Sequence, residues 1–203
     1  APRYRLAAEM IRDNALFMSG LLVDKVGGAS VKPYEVAEAF NPAKPDKGAG
    51  LYRRSLYTYW KRTAPAPVMM ALDAARRDVC TVSRETTATP LQAFIFMNDP
   101  QFVEAARKLG ERALEQSAGD PQKAVNWMFR MLTSRQPLAA EAKILQQMYE
   151  EQRAIFEKAP NKALEFLKTG EAKTGDNVDT VKLAALNVVA SALLSHDECV
   201  MKR

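Results

Sequence analysis

The residues best equipped for chemistry begin at Arg53. From there to Arg62, four cations (Arg53, Arg54, Lys61, Arg62) alternate with Tyr57, Tyr59 and Trp60. A single-strand-binding surface uses this mixture, cations for phosphates and aromatic faces for bases. The same mixture also serves a fold, because the rings bury and pin an irregular segment while the cations reach outward along their aliphatic stems. Acidic residues nearly match basic ones, 24 against 29, so anchoring is the expected role and no nucleic-acid partner is expected. Downstream, Asp73, Arg77, Arg84 and Glu85 surround the short stretch Val79-Cys80-Thr81-Val82. A carboxylate beside guanidinium groups, with Arg54 nearby, is able to orient a carbohydrate or other anionic substrate. No nucleophile accompanies them, and the structural alternative is a set of ion pairs holding an irregular region together. The binding candidates are therefore Arg53, Arg54, Tyr57, Trp60, Arg62, Asp73, Arg77 and Arg84, with no catalytic residue assigned.

Other reactive side chains are sparse. His196, the chain's one histidine, sits in His196-Asp197-Glu198-Cys199. Zinc wants four ligands and the second cysteine, Cys80, is distant in sequence, so this reads as a helix end whose dipole suits a histidine, and no metal is expected. Two cysteines allow either one bridge or two free thiols. The absence of Cys-x-x-Cys-His excludes covalent haem attachment within this chain, and no Gly-x-Gly-x-x-Gly, Walker loop or Gly-x-Ser-x-Gly is present. No cofactor is expected here.

These residues have to be positioned by a chain of 203 residues with 47% apolar and 26% charged side chains and a net charge of +5, the usage of an ordinary globular protein large enough to bury its own core. The most apolar run, Val181 to Leu194, is interrupted by Lys182, Asn187 and Ser191, so no membrane span is expected. The opening Ala1-Pro2-Arg3-Tyr4-Arg5 has no apolar signal core, and the chain is expected to be either cytosolic or a piece of a longer protein.

Helical periodicity dominates the pattern. Leu6, Met10, Phe17 and Leu21 beside Ala7, Ile11, Met18 and Leu22 predict a well-buried helix stopping at Gly27-Gly28. Residues 29–50, punctuated by Pro33, Pro42, Pro45, Gly48 and Gly50, read as a long loop. For 51–62 helix and strand spacings compete, and the helical face Tyr52, Leu56, Tyr59 and Trp60 is preferred. Met69 to Ala75 predicts a turn or two of helix and Val79 to Val82 an extended segment. Thr89-Pro90-Leu91-Gln92 carries a capping box, and Asp99-Pro100 and Asp120-Pro121 repeat an N-cap followed by proline. Three helices follow, with Phe102, Ala105, Ala106 and Leu109, then Val125, Met128, Phe129 and Leu132, turned inward in the second and third. A long helix over 138–158 turns Ala142, Leu145, Tyr149 and Phe156 inward. A short one covers 163–167, and a final one covers 178–199, capped by Asp176 or Asn177. The expected fold is mainly α, an irregular bundle of six to seven helices in one domain over 1–203, with the 29–50 loop and at most a short extended segment.

Several of these stretches together resemble one family. Val31-Lys32-Pro33-Tyr34, Leu51 to Thr63, Arg77-Asp78-Val79-Cys80-Thr81-Val82, Thr89-Pro90-Leu91-Gln92-Ala93 and Asn98-Asp99-Pro100-Gln101-Phe102 are similar, in order, to the C-terminal domain of unknown function in large secreted planctomycete proteins that often carry a cytochrome-c-type module upstream. Ala8 to Ala15 resembles its opening helix. The chain departs from the family at Glu35 to Phe40, Ala88 and Cys199. The resemblance implies a periplasmic or secreted setting, a place in a multidomain chain, haem only in an upstream domain, and partners among other domains of that chain or another protein. It carries no reaction. The expectation is a non-catalytic interaction or scaffolding domain, with an enzyme acting on a carbohydrate or other anionic substrate as the alternative.

Overall fold

A computed structural model describes residues 4–33, 44–61, 65–77, 79–175 and 178–202. Among them nine helices run in order: α1 (Ala8–Ser19), α2 (Pro67–Ala71), α3 (Pro90–Asn98), α4 (Pro100–Gln116), α5 (Pro121–Thr133), α6 (Ala139–Lys158), α7 (Pro160–Leu167), α8 (Thr180–Leu194) and α9 (Asp197–Val200). The two ends meet in a two-residue antiparallel pair, β1 (Tyr4–Arg5) with β2 (Met201–Lys202). The fold is mainly helical, an irregular bundle, as the periodicity predicts.

The bundle is built around α8. Leu183, Ala184, Ala185, Leu186, Val189, Ala190 and Leu193 are all buried, because the helix is apolar on every side and is covered by α4, α5, α6 and α7. A helix with no polar face is stable only when enclosed. Burying each of its leucines contributes about 1.5–3 kcal/mol. Small residues on α4 let the two helices come close. A Cβ at Gly110 would meet Leu183 Cδ1 at 3.3 Å and Leu186 Cβ at 3.5 Å.

Helix starts follow their caps. Asp99 ends α3 and caps α4, its carboxylate accepting the Gln101 N–H at 3.0 Å and the Phe102 N–H at 3.4 Å. Asp120 does the same for α5 with Gln122 and Lys123. Gln92 reaches back to the Thr89 N–H at 3.2 Å. The final helix differs from expectation. Asp179, not Asp176 or Asn177, caps α8, and the latter two lie outside the described residues. The helix also ends at Leu194, where Ser195 and His196 break it before α9. His196 therefore stands at a helix start, its Nδ1 accepting the Glu198 N–H at 3.3 Å, and not at the frayed helix end that was expected.

The opening helix is shorter than predicted and faces another way. It stops at Gly20, which takes φ +78 and closes the helix on Leu16 and Phe17 carbonyls, a left-handed cap that glycine adopts without steric cost. Its buried face is Ala8, Ile11, Arg12, Ala15, Leu16 and Ser19, while Met10 and Phe17 are exposed. The predicted stripe contained both. A buried arginine had moved the face, and apolar spacing alone does not register that. Along α6, Tyr149 is fully buried, and Ala142, Leu145 and Phe156 are only half-buried.

Residues 51–61 form neither an α-helix nor a strand. Two 3-10 turns, Gly48–Tyr52 and Ser55–Tyr57, are joined to the chain after α1 by isolated bridges, Val23 with Arg53 and Val31 with Thr58. Neither periodicity applied because polar side chains, not an apolar face, hold this segment. Residues 79–82 are irregular and exposed.

Candidate functional site

Two arginines organise the irregular region. Arg12 reaches from α1 to donate to the carbonyls of Arg53 at 3.0 Å and Leu51 at 2.7 Å, to Ser55 Oγ at 3.1 Å and to Gln101 Oε1 at 2.8 Å. Arg53 continues the chain of contacts. Its guanidinium lies 3.9 Å from the centre of the Tyr57 ring and donates to the carbonyls of Lys25, Gly27 and Ala29. The Tyr57 hydroxyl accepts the Gly27 N–H at 2.8 Å. The planar, five-donor guanidinium suits this task, since one side chain satisfies several carbonyls that a loop leaves without partners.

This placement corrects the expectation of outward-running cations. Arg53 is buried and Lys61 is half-buried, whereas Arg54 is exposed and pairs with Asp24 at 2.9 Å. That carboxylate raises the Arg54 pKa. Arg62 lies outside the described residues. Arg53 and Tyr57 are thus brought together as a clamp on residues 25–29.

Trp60 belongs elsewhere. Its Nε1 donates to the Arg76 carbonyl at 2.6 Å, and the Arg77 guanidinium carbon lies 5.0 Å from the centre of a Trp60 ring. It was expected to pin the 29–50 loop. Instead that loop is held, where described, by Val31 and Tyr59, whose backbones pair, and by Asp46, which accepts the Lys32 N–H at 2.7 Å.

The second predicted group, Asp73, Arg77, Arg84 and Glu85, surrounds one loop, residues 74–86. Its members are not ion-paired with one another. Asp73 Oδ2 accepts the Thr87 N–H at 2.7 Å, the Thr87 hydroxyl at 2.8 Å and Gln92 Nε2 at 3.1 Å. Arg5, from β1, donates to the Thr87 carbonyl and to Gln92 Oε1, and burial lowers its pKa. Arg84 crosses to Glu9 on α1 at 2.9 Å. The two limbs of the loop are therefore tied at Asp73 with Thr87, at Trp60 with Arg76, and at Arg84 with Glu9.

Backbone conformation marks the same segment. Asp73 and Arg77 have φ of +64 and +61, a region that costs a residue with a Cβ roughly 1 kcal/mol or more and persists where surrounding contacts impose it. Beneath the loop is an open cleft of about 390 Å³, lined by Met70, Asp73, Arg76, Thr81, Ser83 and Arg84 among others. Val82 is not among its lining residues. The valine is fully exposed at 109% of its reference area, and Val79 is exposed at 71%.

Helix α3, which follows in sequence, also exposes apolar groups. That helix has no charged residue, and Leu91, Phe94 and Met97, spaced by three, are all exposed.

Sequence reasoning missed Arg12 and a second buried cluster on α4. Glu104, Arg107 and Glu111 are all buried. Arg107 donates to Glu111 at 3.2 Å and to Thr174 Oγ1 at 2.8 Å, and Glu104 accepts the Tyr52 hydroxyl at 2.8 Å and the Glu171 N–H at 2.7 Å. Burial, and then the bond to Glu104, raise the Tyr52 pKa. The available signal was charge at spacings of three and four inside an otherwise apolar stripe. Among the described residues no group of histidine, cysteine and carboxylate side chains is arranged to hold a metal ion. Cys80 is exposed, Cys199 is buried, and both are free. No described helix is long and apolar enough to cross a membrane.

A family model described as PSD1, protein of unknown function (DUF1553), matches residues 1–149. No curated protein and no solved structure matches the chain.

Proposed function

The chain belongs to the PSD1 family of proteins of unknown function, and from that premise we propose that it is a non-catalytic interaction domain, a helical scaffold that presents the 74–86 loop and the outer face of α3 to another protein or domain. One contrast carries this reading. The polar residues that looked available for chemistry are engaged inside the fold, Arg53 on three carbonyls and Asp73 on Thr87 and Gln92. The apolar side chains Val79, Val82, Leu91, Phe94 and Met97 are exposed along one stretch of chain. Exposed aromatic and aliphatic groups gathered on a rigid frame are what recognition surfaces use.

Export, and a haem module upstream in the same polypeptide, enter this proposal through the family resemblance of the five sequence motifs. The test is co-purification from cells that make the protein, comparing wild type with a Leu91→Ser/Phe94→Ser double variant. A stoichiometric companion, or a fixed contact with another domain, that is lost in the variant at unchanged melting temperature is expected. Identical elution of both forms as free domains would refute the reading.

A further inference from the structure

We propose that a second cleft, lined from α1, α4 and α5, binds a small organic monoanion: a carboxylate carried on an apolar body. The cleft has a volume of about 350 Å³, toward the lower end of what ligand pockets occupy. Segments far apart in sequence meet in it, Phe17 from α1, Arg54 from between the two 3-10 turns, Arg112 from α4 and Met131 from α5. None of its described lining residues belongs to the 74–86 loop or to α3, so this proposal is independent of the interaction reading above.

Arg112 is held in place without a ligand. Its Nη1 donates to the Met18 carbonyl and, at 3.4 Å, to that of Phe17, at the C-terminal end of α1 where a cation is favoured. Its guanidinium carbon lies 5.8 Å from the centre of a Trp127 ring. Gly20, also in the lining, makes room for the stem, since a Cβ there would meet Arg112 Cδ at 3.2 Å. These contacts occupy one nitrogen. The edge formed by Nε and Nη2 makes no hydrogen bond among the described residues, and such an edge donates two parallel bonds to one carboxylate. Arg54 adds further donors: Asp24 takes its Nε at 2.9 Å, and neither Nη makes a hydrogen bond among the described residues. A side chain already fixed loses little freedom when it binds.

Charge sets the valence of the ligand. Among the described lining residues the two guanidinium groups of Arg54 and Arg112 stand against one carboxylate, Asp24, a surplus of one positive charge. Asp13 also acts on Arg54, but it lies 3.9 Å from the buried guanidinium of Arg12 and accepts the Ser55 N–H, so Arg12 balances it. One surplus cation matches one negative charge, and a dianion would place its second charge against Asp24. The remaining side chains give the ligand its body. Leu22 and Met131 are half-buried, and Phe17 is 61% exposed. Covering that ring is favourable in proportion to the apolar area removed from water, which an aryl or alkyl group does and a bare inorganic anion does not.

The experiment titrates the isotope-labelled chain with phenylacetate and follows its amide resonances, together with the Arg112 Nε–H, by nuclear magnetic resonance. Phenethyl alcohol keeps the ring without the charge, acetate the charge without the ring, and phenyl phosphate carries a second charge. The expected result is saturable shifts at Gly20, Leu22, Met131 and the Arg112 Nε–H, with phenylacetate binding at least about tenfold more tightly than each comparison probe. Arg54→Gln should weaken phenylacetate at least about tenfold and still fold, because its exposed pair with Asp24 contributes little to stability. Arg112→Gln should do the same, with a thermal melt to confirm its fold, and Arg54→Gln decides alone if that variant unfolds. Arg84→Gln should leave the affinity unchanged. No saturable shift at these positions, or an equal response to phenethyl alcohol, overturns the site. Acetate binding as tightly as phenylacetate shows an adventitious ion only and overturns the apolar body. Tighter binding of phenyl phosphate overturns the monoanion, and an affinity unmoved by Arg54→Gln overturns the role of the arginines.

Discussion

Asp73 and Thr87 close a loop across fourteen positions of sequence: one carboxylate oxygen receives both the Thr87 N–H and its hydroxyl, at 2.7 and 2.8 Å. The clasp holds Asp73 at a positive φ, so its loss should release both the loop and the backbone strain. Asp73→Ala is expected to cost about 1–3 kcal/mol and to produce tryptic nicks after Arg76, Arg77 or Arg84. Asp73→Asn should be milder, because asparagine tolerates a positive φ and keeps one acceptor oxygen. Urea melts and a time course of limited trypsin digestion check both.

Trp60→Ala should open the same loop and not residues 29–50. The tryptophan bonds the Arg76 carbonyl, while Val31 and Asp46 hold the earlier segment. Peptide mapping after brief proteolysis decides between them, and first cuts between 44 and 50 would contradict the assignment.

Arg53→Lys should destabilise the fold nearly as much as Arg53→Ala, by roughly 2–4 kcal/mol from charged hydrogen bonds lost to buried or part-buried carbonyls. A lysine ammonium cannot span three carbonyls and lie flat over the Tyr57 ring in the same way. Chemical denaturation of the two variants provides the comparison. Full rescue by lysine would show that charge alone, and not the fork, is what this region needs.

Asp99 separates two effects in one side chain. Its carboxylate caps α4, yet burial pushes its pKa up, so the charged form is disfavoured in the folded state. A carboxyl raised above its unfolded value stabilises most at pH below that value, and this contribution is lost as pH rises through the folded pKa. Asp99→Asn, which caps without a charge, should therefore be neutral or stabilising at pH 7. Asp99→Ala should lose about 0.5–2 kcal/mol. Thermal melts of the two variants at pH 7 should diverge in that order.

Glu141 predicts the opposite pH behaviour. Arg135 bonds both its oxygens at 2.7 Å and the Leu138 N–H adds a third bond, and together they pull its pKa from 4.5 down to about 2. A depressed carboxylate stabilises the fold above its unfolded pKa, and the contribution disappears as pH falls from about 4.5 through about 2. Glu141→Gln should flatten that part of the acid-unfolding profile, followed by circular dichroism between pH 5 and 1.5.

What the sequence made legible follows from how each part is held. Helices α4, α5 and α8 announce themselves because their apolar stripes are continuous and caps such as Asp99 and Asp120 are local signals. The region between α1 and α3 has no such period. Arg12 and Arg53 satisfy backbone carbonyls that lie 24–41 positions away, and no local pattern encodes a partner at that distance. The same limit applies at the candidate site. Asp73, Arg77, Arg84 and Trp60 were recognisable as an unusual polar group, but their shared task, tying down one loop, depends on Thr87, Gln92 and Glu9, which nothing in their own spacing indicates.

The two thiols make the loop observable in its natural form. Cys199 is buried beside the Leu132 carbonyl and burial pushes its thiol up to about 12, so it is unreactive while folded. Cys80 lies exposed beside Val79. A maleimide dye or nitroxide added to the native protein would attach at one position, the loop tip, without any substitution. Changes in its rotational mobility would then report, in real time and in unmodified sequence, whether and when that tip becomes enclosed.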